Sequence, residues 1–422
     1  MQNEVYERLP SLQINFLWVA TGRAIFAITQ WGIISALSKL GTPTLVGEYT
    51  LGLAISAPIF MFMSFQLRSV QAIDARGEYS WGHFFNLRCI TNVVSVLMIA
   101  LVSRLMGYSG HLWVIIVAVG GMKFMEYMSD VLYGCMQKHE RVDLMAKSLV
   151  IRGMGGLAFF VLMFLLCKYL LWAIIGVAAV WLAVFLVFDL TNAKSLESFN
   201  LPRDWSKSWA LFRLAFPLGV VMGIVSLNTN IPRYFIERFH GTAMLGYFSA
   251  LAYIPTAGNI VIVALGQSAI ARLARYYVFD NEGKAYVRLL LRLVLLAALI
   301  GGAGVAIVWL FGPQILRVVY KADYACYHRE LIWLMVSGVI WFVGSMLNQG
   351  MTAARQFKIQ VLIFLIVLIT TVVSSIWCIP KYAIMGAVYV RMISNTVMVI
   401  GALLVNIYAI KRKRTSSNDK AN

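Results

Sequence analysis

Long apolar segments separated by short polar loops dominate this chain. A transmembrane helix needs about 20 mostly apolar residues to cross roughly 30 Å of hydrocarbon. A window of that length finds about twelve such segments, centred approximately on residues 25, 56, 95, 122, 157, 180, 220, 256, 300, 341, 369 and 396. The run "RGMGGLAFFVLMFLLCKYLLWAIIGVAAVWLAVFLVFDL", 152–190, is too long for one tilted helix and divides at Lys168. The pattern predicts an all-α polytopic membrane protein. It consists of an N-terminal six-helix bundle (1–200), a C-terminal six-helix bundle (201–410) and a basic tail (411–422).

The chain also repeats itself about 200 residues apart. "LSKLGTPTLVGEYTLGLAIS" (37–56) aligns with "IERFHGTAMLGYFSALAYIP" (236–255), placing Gly41-Thr42 over Gly241-Thr242. One residue of slip then sets Gly47 over Gly246 and Tyr49 over Phe248. Farther on, "FQLRSVQAID" answers "LGQSAIARLA". Hydrophobicity alone does not account for the matching glycines. Six spans per copy give both halves the same orientation, the parallel arrangement found in transporters whose substrate site lies between two bundles. Pro58 and Pro255 fall at equivalent places in the second and eighth spans. A proline there removes a backbone donor and kinks the helix, which marks either a plain bend or a hinge near a substrate site.

Composition agrees with a membrane solvent. Of 422 residues, 60% are hydrophobic and only 13% charged, half the charged share of a soluble domain, and mean hydropathy is +0.77. The net charge of +18 would suggest nucleic acid in a soluble protein. Here it reads as loop charge that sets topology, and no nucleic-acid partner is expected. Lys and Arg number roughly twenty on the side of the termini against about nine opposite, which predicts cytoplasmic termini. The tail "IKRKRTSSNDKAN" fits that orientation and could also meet lipid headgroups. The five cysteines show no metal-ligand spacing, so no metal site is expected. "MQNEVYERLP" lacks the features of a cleaved secretory signal, and the first hydrophobic segment is expected to remain as a span.

Charges inside spans are costly and need a partner, water or a function. Arg23 sits near the centre of the first span, Lys123 near the centre of the fourth, and Arg391 about two turns into the last. Arg88, Arg152 and Arg213 fall near cytoplasmic ends and are expected to snorkel. Lys123, Glu126 and Asp130 form one helical stripe. It reads either as a local Lys123–Glu126 pair with a solvated Asp130 or as a proton or sodium relay. Arg23 and Arg391 have no acid within their own spans, and arginine cannot shed its proton to escape the cost. Either an interhelical carboxylate such as Glu126 neutralises them, or they line a hydrated cavity for an anionic substrate. Uncharged polar residues within the spans include Gln30, Asn228, Asn230, Asn259, Asn348, Gln349 and Asn395. As amides they can glue helices together or hold a hydroxyl-rich ligand.

The chain contains no phosphate-binding GxxxxGK[ST], no HExxH and no GxSxG, so neither an ATP-driven pump nor an enzyme is expected. "SKLGTPTLVGEYTLGLAISAPIFMFMSFQLRSVQAID" and "NIPRYFIERFHGTAMLGYFSALAYIPTAGNIVIVALGQSAIARLARYY" resemble polysaccharide repeat-unit flippases. These are the Wzx-type members of the multidrug/oligosaccharidyl-lipid/polysaccharide exporter superfamily. The resemblance implies two six-helix bundles of the MATE-like kind around a central, often cationic cavity. It implies an undecaprenyl-diphosphate-linked oligosaccharide as substrate, moved across a bacterial inner membrane for O-antigen, lipopolysaccharide or capsule synthesis. Membrane lipids, a polysaccharide polymerase and a chain-length regulator are the other partners it suggests. No cofactor is expected beyond H+ or Na+ as coupling ions. The family carries no fixed motif that transfers residue by residue. A cation-coupled multidrug antiporter, a lipid II flippase and a non-transporting scaffold of a polysaccharide assembly complex stay open as alternatives.

Overall fold

The computed structural model describes residues 12–74, 77–198, 204–279 and 283–418. Part of the basic tail, 419–422, lies outside the described residues. Ten described helices are long and apolar enough to cross a membrane. They are α1 (Leu12–Leu40), α2 (Pro43–Met63), α4 (Trp81–Leu105), α5 (Gly110–Lys138), α6 (Val142–Cys167), α7 (Leu170–Leu196), α8 (Trp205–Phe279), α9 (Lys284–Val319), α10 (His328–Ala353) and α11 (Phe357–Asn418). A short helix, α3 (Leu67–Ile73), follows α2. Two of the ten are interrupted by non-helical residues, α8 at Gly241 and α11 at Ala383. The ten therefore supply all twelve expected spans.

The breaks fall where local chemistry puts them. Lys168 adopts a left-handed φ of 60° and ends α6, dividing the long apolar run at the expected residue. Gly41 separates α1 from α2, whose N-cap is Thr42 with Pro43 at the first helical turn, a position that suits a residue without an amide hydrogen. In the second half Gly241 takes φ +82°, a conformation open to glycine at little cost. Gly41-Thr42 and Gly241-Thr242 thus mark the same turn in each half, and Tyr49 and Phe248 are both buried beyond it. The copies differ farther on. The first breaks at the left-handed pair Phe65 and Gln66 before α3, whereas the second continues as helix to Phe279.

The chain divides into two compact units, Met1–Ser226 and Leu227–Asn422. The division falls partway along α8 and not in the loop near residue 200. The first turns of α8 pack Phe212 and Phe216 edge-on against Phe65 and Phe62 of α2, which holds them in the first unit. Within that unit α6 packs along α1 and α7, and α5 along α2 and α4. Lipid tails are as apolar as leucine, so helix association in a bilayer relies on close van der Waals approach and buried hydrogen bonds. Gly22 of α1 illustrates the first: a Cβ there would lie 2.8 Å from the Ala146 Cα of α6. Asn406 of α11 illustrates the second. Its Oδ1 accepts from Tyr286 of α9 at 2.6 Å and its Nδ2 donates to the Leu347 carbonyl of α10 at 2.9 Å. In the second unit His240 bonds the Ile379 carbonyl at 2.8 Å, tying the turn at Gly241 to the segment just before the break at Ala383.

Two arginines expected to snorkel are instead fully buried. Arg88 is 0% and Arg152 1% exposed, while Arg213 is exposed and lies over Trp209. Each buried guanidinium has a desolvated environment of its own. Arg152 donates to the Tyr133 hydroxyl at 3.3 Å, lies 4.8 Å over the Trp181 ring and feels the negative charge of buried Asp189. Proximity to a span's end misled here, because neighbouring helices close over these positions.

Close helix contact gives a test with an internal control. Gly22→Ala inserts a methyl against backbone that cannot move aside and is expected to lower the thermal midpoint of detergent-purified protein. Gly121→Ala, with nothing within 4 Å of the new Cβ, should leave the midpoint unchanged or raise it, through a gain in stability of up to about 1 kcal/mol. Equal midpoints for the two variants would contradict the packing account.

Candidate functional site

Each unit contains a polar cavity of its own. In the first unit the end of α2 is the starting point. Positive φ angles of 47° at Phe65 and 52° at Gln66 are uncommon for residues with a side chain. They redirect the chain so that Ser64, Gln66, Arg68 and Ser69 all reach one cavity of about 270 Å³. Arg23 of α1, Tyr127, Asp130 and Gln137 of α5 and Met222 of α8 complete the lining.

The charges in this cavity are unbalanced. Asp130 accepts from Arg68 Nη1 at 3.5 Å and from Arg88 Nη2 at 3.4 Å. Arg68 is fixed further by donating to Gln137 Oε1 at 3.2 Å, and Arg88 lies 5.7 Å over the Tyr127 ring. Arg23 also feels Asp130 and Arg68 but forms no ion pair among the described residues. One carboxylate therefore faces three guanidinium groups. Asp130 is held by two arginines and is not the freely solvated end of a stripe. Lys123 pairs with Glu126 at 2.6 Å, the local pairing the spacing allowed, and the pair lies outside this cavity's lining.

The second unit has a cavity of about 180 Å³ lined by α8, α10 and α11. Arg391, Asn228, Asn259, Asn395 and Pro255 meet there, joined by Trp341, Thr371 and Ser394. The amides are held in place. Asn395 Nδ2 donates to the Ser337 carbonyl at 3.0 Å, Asn259 Oδ1 accepts from Trp341 Nε1 at 3.2 Å, and Asn228 accepts from the Thr371 hydroxyl. No acidic residue lines the cavity, and Arg391 has no ion pair among the described residues. The charge nearest to it in effect is another arginine, Arg233, whose Nη1 donates to Asn230 Oδ1 at 2.6 Å.

The remaining expected site residues stand elsewhere. Asn348 accepts from Gln360 Nε2 at 2.8 Å, joining α10 to α11, and Gln349 packs beside Gly266. Gln30 lines neither cavity; its Nε2 is buried with no hydrogen-bond partner. Pro58 is buried within α2 and lines neither cavity, unlike Pro255. Arg68 and Arg233 escaped the sequence reading. Both could have been found by asking of every arginine in an apolar segment what was asked of Arg23. The structure also brings Cys135, His139 and Glu197 together, with ligand atoms within 4.8 Å of one another, across helices the cysteine spacing could not relate. His139 Nδ1 already bonds the Cys135 carbonyl at 3.0 Å, and Glu197 has Lys138 at 3.9 Å.

No known protein-family profile matches the chain. It is 26% identical over 402 residues to the capsular polysaccharide biosynthesis protein CapF of Staphylococcus aureus, covering 94% of this chain and 99% of that one. Among solved structures it superposes on the lipid II flippase MurJ in an inward closed conformation, with TM-score 0.75 and 13% identity over 95% of this chain and 90% of that one. An inward-facing multidrug resistance MATE transporter of the MOP superfamily matches with TM-score 0.70 and 16% identity over 96% of both chains. An all-helical chain of twelve spans with this superposition has the fold of the multidrug/oligosaccharidyl-lipid/polysaccharide exporter superfamily, as the resemblance of its two repeated stretches implied.

Proposed function

We propose that the protein is a flippase that carries undecaprenyl-diphosphate-linked oligosaccharide repeat units from the cytoplasmic to the outer leaflet of a bacterial inner membrane. The observation that carries this reading is the uncompensated arginine in each unit, Arg23 and Arg391, lining a polar cavity among apolar helices. Guanidinium forks engage diphosphate oxygens two at a time. The amides and hydroxyls around Arg391 offer donors and acceptors to sugar hydroxyls. Similarity to a capsular polysaccharide biosynthesis protein favours capsule over O-antigen as the destination.

The same charges argue against an organic-cation antiporter. Such a substrate needs a free carboxylate, and Asp130, the only acid in either lining among the described residues, is held by two arginines. Glu126 and Asp130 remain the candidate H+ or Na+ coupling groups. Because each already has a resident cation, coupling through either requires that cation to be displaced. Transport proceeds by exchange between inward- and outward-open states, in which an anionic head is passed over without leaving a cationic, hydrated surface. The termini lie in the cytoplasm in this scheme, and a polymerase and chain-length regulator act on the delivered unit.

Two measurements test this. In proteoliposomes, Arg23→Gln and Arg391→Gln should each slow flipping of a fluorescent undecaprenyl-diphosphate oligosaccharide by about tenfold or more, since a charge-assisted hydrogen bond contributes about 1.5–3 kcal/mol. Thermal midpoints should not change, and wild-type flipping rates in both variants would refute the cation role. For topology, a C-terminal green fluorescent protein fusion should fluoresce and a C-terminal alkaline phosphatase fusion should be inactive; the reverse pattern would invert the orientation.

A further inference from the structure

A second cavity in the first unit has the opposite chemistry. It is a groove of about 350 Å³ with walls from the end of α2, from α4 and from the first turns of α8. Among the described residues its only hydroxyl-bearing lining residues are Thr91 and Ser208, and Thr91 donates its hydroxyl to the Arg88 carbonyl at 3.2 Å. Aromatic rings interlock along it. Phe65 meets Phe212 at 5.2 Å, Phe62 meets Phe216 at 5.8 Å, and Trp209 stacks on Phe212 at 4.9 Å. Ile90, Trp209 and Phe216 are exposed at the rim.

This groove and the arginine cavity stand back to back. Along the last turn of α2 and the break after it, Met61, Ser64 and Gln66 line the arginine cavity. Phe62, Met63 and Phe65, interleaved with them, line the groove. The partition is thus the end of α2 and the break that follows it. α8 crosses it, giving Phe216 to the groove and Met222 to the cavity. Between them lies Gly219, where a Cβ would overlap the Phe62 carbonyl and the Phe65 ring. α4 does the same: Leu87 and Thr91 line the groove, while Arg88 reaches Asp130 in the cavity.

A cationic pocket and a hydrocarbon slot that share one wall, the end of α2 and the break after it, fit an amphiphile whose charge is attached directly to its chain. We propose that the groove seats the isoprene units nearest the diphosphate of a polyprenyl-diphosphate carrier while the diphosphate lies in the Arg23–Arg68 cavity. This rests on the flippase reading and deepens it. A glycerophospholipid fits less well, because glycerol separates its phosphate from two chains and the groove is a single channel. The ring-lined walls suit a wide, methyl-branched, unsaturated chain. The groove therefore selects the carrier by its tail, independently of the sugar.

The test fills the slot without touching the arginines. Val94 lines the groove and its neighbour Val93 is exposed outside it, so Val94→Trp blocks the groove and Val93→Trp serves as control. Undecaprenyl diphosphate should bind Val94→Trp at least tenfold more weakly than it binds wild type or Val93→Trp, while affinity for inorganic diphosphate stays unchanged. A photo-reactive phenylalanine derivative in place of Val94 should label undecaprenyl diphosphate in preference to phosphatidylglycerol. Equal binding by Val94→Trp and wild type, or preferential labelling of phosphatidylglycerol, would overturn the proposal. Absence of flipping by wild type would sink the flippase reading alone, since binding and labelling still judge the groove.

Discussion

A guanidinium in a hydrocarbon-spanning helix cannot give up its proton, and every other feature of this molecule accommodates that fact. Arg88 and Arg152 are accommodated by burial against aromatic faces and a nearby acid, Asp130 for one and Asp189 for the other. Taking such a charge out of water costs several kcal/mol even after relaxation, and only good geometry offsets it. Arg23 and Arg391 are accommodated differently. They stand at cavities, Arg23 beside Arg68 and Asp130 and Arg391 among amides and hydroxyls, and neither forms an ion pair among the described residues. The contrast separates charge used to hold helices from charge kept available to a ligand.

That separation also explains how much could be read in advance. Twelve spans were legible because hydrophobic windows and helix-ending residues act locally, and Lys168 and Gly241 mark their breaks by backbone geometry alone. Arg23 and Arg391 were legible as cations without a same-helix acid. What could not be read is which helix closes over which position. Arg88 lies early in α4, yet α5 brings Asp130 and Tyr127 across it. Asn348 and Asn395 are alike in sequence. Both join α10 to α11, but only Asn395 also lines a cavity, and tertiary contact alone decides this.

The two cavities are not copies. The first is lined by Arg23, Arg68 and Asp130, and the second by Arg391 with amides and hydroxyls and, among the described residues, no acid. A diphosphate carries concentrated charge, whereas an oligosaccharide carries dispersed hydroxyls, and the two linings match those demands separately.

The left-handed pair at Phe65 and Gln66 makes the two halves non-equivalent. Each such residue stores roughly 1–3 kcal/mol of backbone strain, and the second half continues through the corresponding point as helix. In the first half the kink sets Arg68 beside Asp130. Repeats that differ in this way are not interchangeable. A chain built from two second halves would keep the spans and lose the bend on which its proposed recognition of the carrier depends.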